Sequence, residues 1–281
     1  MNRSFERMEK RAAEAKARSS NRQGSEDIGS FPTHDSANGK QMTLPLELLG
    51  HGARGAPDSV LRSALFAATR PGKRRHLDNE KVASVSNIEI RQTGPQLQQI
   101  DLDVWIELIR IAAEVQGATI NIPLRTLLKR LNRDSGAKSR ERVISTLRRL
   151  NATVVGITDG KREYDGSLIF DHSRDEKNHL VIQLNPRVAK LFDRSSWSTL
   201  QLEQRHSLKR QPLAQWLHGY YSSHKHPYPI KLDTLRSLCG SNTRGLHHFR
   251  SEVRSAMEKV AETTGWKWDI DNTDKLMVVK E

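Results

Sequence analysis

The chain has 281 residues, enough for one large domain or for two ordinary ones behind a tail. Its 46 Lys and Arg against 33 Asp and Glu leave a net charge of +13, which calls for a polyanionic partner, either nucleic acid or an acidic membrane surface. No run approaches the ~18 apolar residues of a spanning helix, Met1–Arg7 lacks the apolar stretch of a secretory signal, and the single cysteine, Cys239, excludes an internal disulfide framework and a thiolate metal cluster.

A reducing cytosol is the compartment these features predict. Cys239 follows Leu235 and Leu238 at helical spacing, so a buried, inert thiol is expected. Residues 1–57 read as a disordered tail. Met1–Arg18 favours helix but has no apolar stripe to bury, residues 19–40 are rich in Ser, Gly and Asn, and His51–Pro57 reads as a flexible joint.

From Asp58 the pattern changes. Asp58–Ser59 is positioned to cap a helix through Val60, Leu61, Ala64, Leu65 and Ala68. Pro71–Arg75 reads as a basic loop and Val85–Thr93 as a strand. A strongly amphipathic helix then starts at Asp101 or Asp103, carries Leu102, Trp105, Ile106, Leu108, Ile109, Ala112 and Val115, and stops at Gly117.

One supersecondary pattern follows twice. In the first copy a strand (118–122) leads into a helix opened by Pro123, a turn (132–136), a basic helix (138–150) and β-runs at 153–158, 167–170 and 180–184. In the second, an aromatic-rich helix (Leu213, Trp216, Leu217, Tyr220) precedes a strand (228–232), a helix through Leu235 and Leu238, a turn (240–244), a long helix through Phe249, Val253, Met257 and Val260, and a terminal hairpin. Ile122-Pro-Leu-Arg-Thr-Leu127 and Ile230-Lys-Leu-Asp-Thr-Leu235 share Ile, Leu, Thr and Leu in register. Helix, turn, basic helix and hairpin is the order of a winged helix. The expected fold is therefore α+β: two tandem winged-helix domains, 58–195 and 196–281, behind the disordered tail.

A recognition helix buries one face in its own domain and turns cationic and polar groups to the major groove. In the first basic helix Val143, Ile144, Leu147 and Leu150 point inward, leaving Lys138, Arg142, Ser145 and Arg149 outside, with Arg140 beside them. Residues 123–150 hold nine Lys and Arg against Asp134 and Glu141. Arg takes guanine bidentately, whereas Lys mainly contacts phosphate. In the second helix Arg244, His248 and Ser251 face outward, flanked by His247 and Arg254. An ordinary solvated face is the alternative for both. Lys161 and Arg162, between Asp159 and Gly166, suit either a wing tip or a plain charged hairpin.

Enzymatic chemistry finds little support. There is no P-loop motif. In His224-Lys-His226 the middle residue is not the inward-packing apolar one that a metal-binding His pair on a strand needs, so a loop before Pro227 is expected. His247-x-x-Arg250 matches one box of the tyrosine recombinases, but no tyrosine follows Tyr228. No catalytic residue, metal or cofactor is expected, and a relaxase or nuclease is the disfavoured enzyme alternative.

Leu213-Ala-Gln-Trp-Leu-His-Gly-Tyr-Tyr221, Tyr228–Leu235, Leu238-Cys-Gly240 and Trp266–Ile270, supported by Ile120–Ile157, resemble the TrfA-type replication initiators of plasmids, within the class of two-winged-helix plasmid Rep proteins. The resemblance implies a protein that binds direct repeats (iterons) of origin DNA as a monomer and promotes opening of an adjacent AT-rich region, where single-stranded DNA becomes a further partner. It also implies recruitment of the host initiator ATPase and replicative helicase, and self-association into dimers that take part in copy control. Gln41, Leu44 and Leu46 then resemble a peptide that docks on the bacterial sliding clamp, Gln through hydrogen bonds and the two Leu in an apolar pocket; a weakly packed lead-in to the first domain is the other reading. A transcriptional regulator or plasmid partition protein on an operator is the competing function.

Overall fold

The computed structural model describes residues 50, 52–70, 72, 74–85, 88–158, 160, 163–192 and 197–280. Chain order runs β1 (Ala53–Pro57), α1 (Asp58–Leu61), β2 (Phe66–Ala67), β3 (His76–Val82), β4 (Glu89–Pro95), β5 (Leu97–Gln98) and α2 (Gln99–Val115). Then come β6 (Thr119–Pro123), α3 (Leu124–Arg130), α4 (Ala137–Ala152), β7 (Val154–Thr158), β8 (Glu163–Ser167), β9 (Ile169–Arg174) and β10 (His179–Leu184). A 3-10 turn (Pro186–Phe192) leads to β11 (Trp197–Gln201), α5 (Leu202–Ser207), α6 (Pro212–Ser222), β12 (Ile230–Lys231), α7 (Leu232–Leu238), α8 (Leu246–Thr264), β13 (Lys267–Ile270) and β14 (Lys275–Val279).

α2 is the spine. Asp101, in its first turn, reaches back to accept from the Gln98 N–H at 2.9 Å and so starts it. Gln116, left-handed at φ 51°, ends it. The helix is buried almost all round, so the apolar stripe understates its enclosure. Its polar residues are matched: Glu107 takes Arg54 at 2.6 Å and Arg130 at 2.5 Å, and Glu114 takes Arg110 at 3.1 Å and Arg130 at 2.8 Å.

Two expectations for the first half are corrected, and one strand had no expectation. Residues 53–57 are no flexible joint: β1 is wholly buried and pairs antiparallel with β11, Ala53 opposite Gln201 and Pro57 opposite Trp197. Small residues let this strand lie close against α2, and small residues give no periodicity signal. The helix expected through Ala68 stops at Leu61; Phe66–Ala67 instead pairs in parallel with Leu97–Gln98. β3, whose polar sequence concealed it, forms a four-stranded antiparallel sheet in the order β3-β4-β7-β8.

The repeat has a counterpart in topology. β6-β10-β9 and β12-β14-β13 are sheets of the same order, in which the strand preceding the helix pair lies beside the last strand of a hairpin. Leu124 and Leu127 on α3 answer Leu232 and Leu235 as inward residues of short helices. Ser139, Val143, Leu147 and Leu150 answer Phe249, Val253, Met257 and Val260 once the second turn gains two residues.

Buried apolar side chains fall into two clusters. The first runs from Ala56 to Leu200 around Trp105, with Phe66 stacked on it at 5.9 Å; the second runs from Leu208 to Val278 around Trp216, Tyr221, Phe249 and Met257. The first thus extends beyond residue 195, because β11 is held by β1. Cys239 lies in the second, where burial pushes its thiol up to about 12.

The clusters meet along a polar seam. Trp216 Nε1 donates to the Ser63 carbonyl at 3.0 Å, and Ala68 N–H to the Cys239 carbonyl at 2.7 Å. Gly240, at φ 63°, ends the helix before this contact, and a Cβ there would stand 3.0 Å from Ala67 Cβ. Arg205, only 2% exposed, binds Asp103 Oδ1 at 2.5 Å, Gln99 Oε1 at 2.9 Å and the Gln215 carbonyl at 3.1 Å; Gln215 Nε2 completes the clasp on Asp103 Oδ2 at 3.1 Å.

His218, fully buried on α6, stacks on Trp266 and meets Gln204 Oε1 at 3.0 Å. Burial, with Arg205 adding repulsion, lowers its pKa from 6.5 to about 3. The unfolded chain therefore takes up this proton first. His218 contributes stability above pH 6.5, and that contribution is lost as pH falls toward 3. A wild-type urea midpoint falling between pH 7 and 5 by the equivalent of about 2 kcal/mol, and falling less in His218→Gln, is the expected result; equal slopes in both proteins would remove His218 as the cause.

Candidate nucleic-acid interface

α3 and α4 meet at a tight turn. Asp134 builds it, its carboxylate accepting from Gly136 N–H and Ser139 Oγ at 2.9 Å each. The N-terminal half of α4 then projects with Lys138, Arg140 and Arg142 exposed. Arg140 Nε is tied to the Ser135 carbonyl at 2.7 Å, whereas Lys138 and Arg142 make no side-chain hydrogen bond or ion pair among the described residues. Arg125 and Lys129 on α3 extend the exposed basic surface.

Arg149 is placed differently from the outward position its spacing predicts. Its guanidinium folds back onto Asp101 of α2 at 2.8 Å and also donates to Thr146 at 2.7 Å and to Ser145 Oγ at 2.6 Å. A buried carboxylate on a neighbouring helix outcompetes solvent for this cation. Ser145 is committed with it, so the free cationic face of α4 is its first half.

The hairpin position is also corrected. Lys161 and Arg162 lie outside the described residues, but the strands flanking them, β7 and β8, belong to the β3-β4-β7-β8 sheet. The hairpin that corresponds to β13–β14 is β9–β10, turning at Asp175–Asn178 with Arg174, Lys177 and His179 exposed. Sequence spacing could not separate the two hairpins, because what distinguishes them is the pairing of β10 with β6.

On the second copy Arg244, His247, His248, Ser251 and Arg254 are all exposed, and none makes an ion pair among the described residues. Arg250 does not join them: it holds Asp274 and the carbonyls of Ile270 and Asp271, at 3.2 and 3.1 Å, fixing α8 to the terminal hairpin. The N-terminal halves of both long helices therefore present exposed side chains without ion-pair partners among the described residues, Lys138 and Arg142 on α4 and His247, His248, Ser251 and Arg254 on α8. That arrangement suits contact with phosphates and base edges. Among the described residues no cluster of three or more His, Cys, Asp or Glu could hold a metal ion, and no helix is long and apolar enough to cross a membrane. Gln41, Leu44 and Leu46 lie outside the described residues.

The family described as "TrfA protein" matches residues 29–278, nearly the whole chain. The chain belongs to this family. Relatives include the plasmid replication initiator protein TrfA of Escherichia coli, 28% identical over 218 residues that cover 74% of this chain and 56% of that protein. RepFIB replication protein A of Salmonella typhi is 30% identical over 186 residues, 62% of this chain and 57% of that one. The chain thus spans little more than half the length of these curated relatives. Among solved structures, domains 2 and 3 of RctB superpose with a TM-score of 0.55 at 13% identity, covering 79% of this chain and 96% of that one. At that identity the likeness concerns the fold alone.

Proposed function

We propose that this member of the TrfA family is a plasmid replication initiator that binds direct repeats in origin DNA through two winged-helix units, with α4 and α8 as recognition helices. The observation that carries this reading is the duplicated topology: each copy sets a helix pair on a sheet of one strand order, and in each the second helix exposes cationic and polar side chains on its N-terminal half, Arg142 on α4 and Arg254 on α8 among them. The names of the relatives point the same way.

Lys138, Arg140 and Arg142 serve the first groove, and Arg244, His247, His248, Ser251 and Arg254 the second. Arg149 and Ser145 support the scaffold. Opening of AT-rich DNA, recruitment of the host ATPase and helicase, monomer–dimer control and clamp docking through Gln41, Leu44 and Leu46 belong to the same proposal, as does action in the bacterial cytoplasm by binding and not by catalysis.

DNase footprinting on the parent plasmid's origin tests it. Protection of repeats in one orientation is expected; protection of a single palindrome would instead make the protein a dimeric operator-binding regulator.

A further inference from the structure

Two clefts, of about 860 and 310 Å³, share Thr69, Gln98, Arg210 and Pro212 and so form one trough along the seam between the cores. One end is walled by Ser139 and Arg142 of α4, the other by Glu252 and Ser255 of α8. A duplex laid against both of these walls would cross it.

The trough is cationic beyond what the protein neutralises. Arg70, Arg75, Arg133, Arg142, Lys209 and Arg210 line it. Its acids are engaged: Asp103 by Arg205 at 2.5 Å, Asp134 by its own turn, and Glu252 by Thr243 Oγ1 at 2.6 Å. Arg75 is paired with Glu80 at 2.8 Å, and Lys209 donates to the Asn132 carbonyl at 2.5 Å. Arg70, Arg133 and Arg210 make no side-chain hydrogen bond or ion pair among the described residues. Burial lowers the Arg133 pKa, with attraction from Asp103 and Asp101 opposing it and repulsion from Arg142 adding to it; burial, with repulsion from Arg133 and Arg210, lowers the Lys209 pKa. The N-terminus of α6 opens at the same place: Pro212 is its first residue, no side chain caps it, and Leu213 and Ala214 line the trough. Like charges held together in a concave site beside an uncapped helix N-terminus are stabilised by an incoming anion.

We propose that this trough seats the phosphodiester backbone of the duplex where it passes from α4 to α8, with Arg70, Arg133 and Arg210 as its phosphate contacts. The inference rests on the DNA-binding reading above and adds a sequence-independent anchor between the two sequence-reading helices. Phosphate is the recognised chemistry, and DNA is its source.

The test uses the full chain in anisotropy titrations with a duplex carrying one footprinted repeat and with a scrambled duplex, over a range of NaCl concentrations. Arg70→Gln/Arg210→Gln, at two exposed positions, is the main variant; Arg133→Gln is made separately, with its fold checked by circular dichroism. The double variant is expected to weaken both duplexes by the same factor, about tenfold, and to make the salt slope shallower by about two. Unchanged affinity and slope, or a loss confined to the repeat, would overturn the assignment. ATP titration is the second arm: ATP binding that the double variant abolishes while leaving DNA affinity intact would assign the trough to a free nucleotide and refute the DNA source. A wild-type chain that binds no repeat would strike the DNA-binding reading itself, an outcome distinct from the loss of the trough alone.

Discussion

Asp101→Asn is expected to cost about 3–5 kcal/mol of folding stability, the usual consequence of removing one partner from a buried ion pair. The Asp101 side chain is 0% exposed and serves three groups at once: Arg74 at 2.5 Å, Arg149 at 2.8 Å and the Gln98 N–H at 2.9 Å. Asparagine keeps an acceptor for the cap but no counter-charge, leaving two half-enclosed guanidinium groups facing each other. Burial lowers the Arg74 pKa and Arg149 adds to that, with Asp101 as the opposing influence. A urea midpoint that falls with an unchanged slope would report the loss. A change below about 1 kcal/mol would mean that water compensates the pair. Because Arg149 is spent here, Arg149→Ala is expected to act on stability more than on base preference.

Arg205→Met should show the second large effect, in both stability and DNA binding. Arg205 is enclosed and clasps α2 of the first core to α6 of the second through Asp103, Gln99 and the Gln215 carbonyl. Methionine fills much of the space but leaves Asp103 and Gln99 short of partners, at a cost of about 3 kcal/mol. The clasp also fixes α4 relative to α8. Without it the two helices must be aligned at the moment of binding, and affinity for a native repeat should fall about tenfold or more. Duplexes with one base pair inserted between the half-sites should then be penalised less than in the wild type. If the variant discriminates against the insertion as strongly as wild type does, the clasp does not set the spacing.

The long helices and the duplication were legible because both rest on local signals. The apolar spacing of Val143, Leu147 and Leu150 and of Phe249, Val253, Met257 and Val260 depends only on helical geometry, and these residues are buried as that geometry requires. What escaped depends on partners distant in sequence. Ala53–Pro57 is a strand because β11 pairs with it nearly 150 residues later. Arg149 turns inward because of Asp101, and the hairpin homologous to β13–β14 is identified by the pairing of β10 with β6. The trough draws on separate segments around residues 70, 133, 142 and 210; Lys209-Arg-Gln-Pro212, two cations just before a helix opened by proline, was its one visible trace.

The most direct test of two reading helices on one chain is a hydroxyl-radical footprint of a single repeat at monomeric protein concentration, with wild type, Arg142→Ala and Arg254→Ala. Two successive major grooves, about 10 base pairs apart, should be contacted by one monomer. Arg142→Ala should relax base preference in one half and Arg254→Ala in the other, each at about 1–3 kcal/mol. Contact with one groove only, or both substitutions acting on the same half, would contradict it.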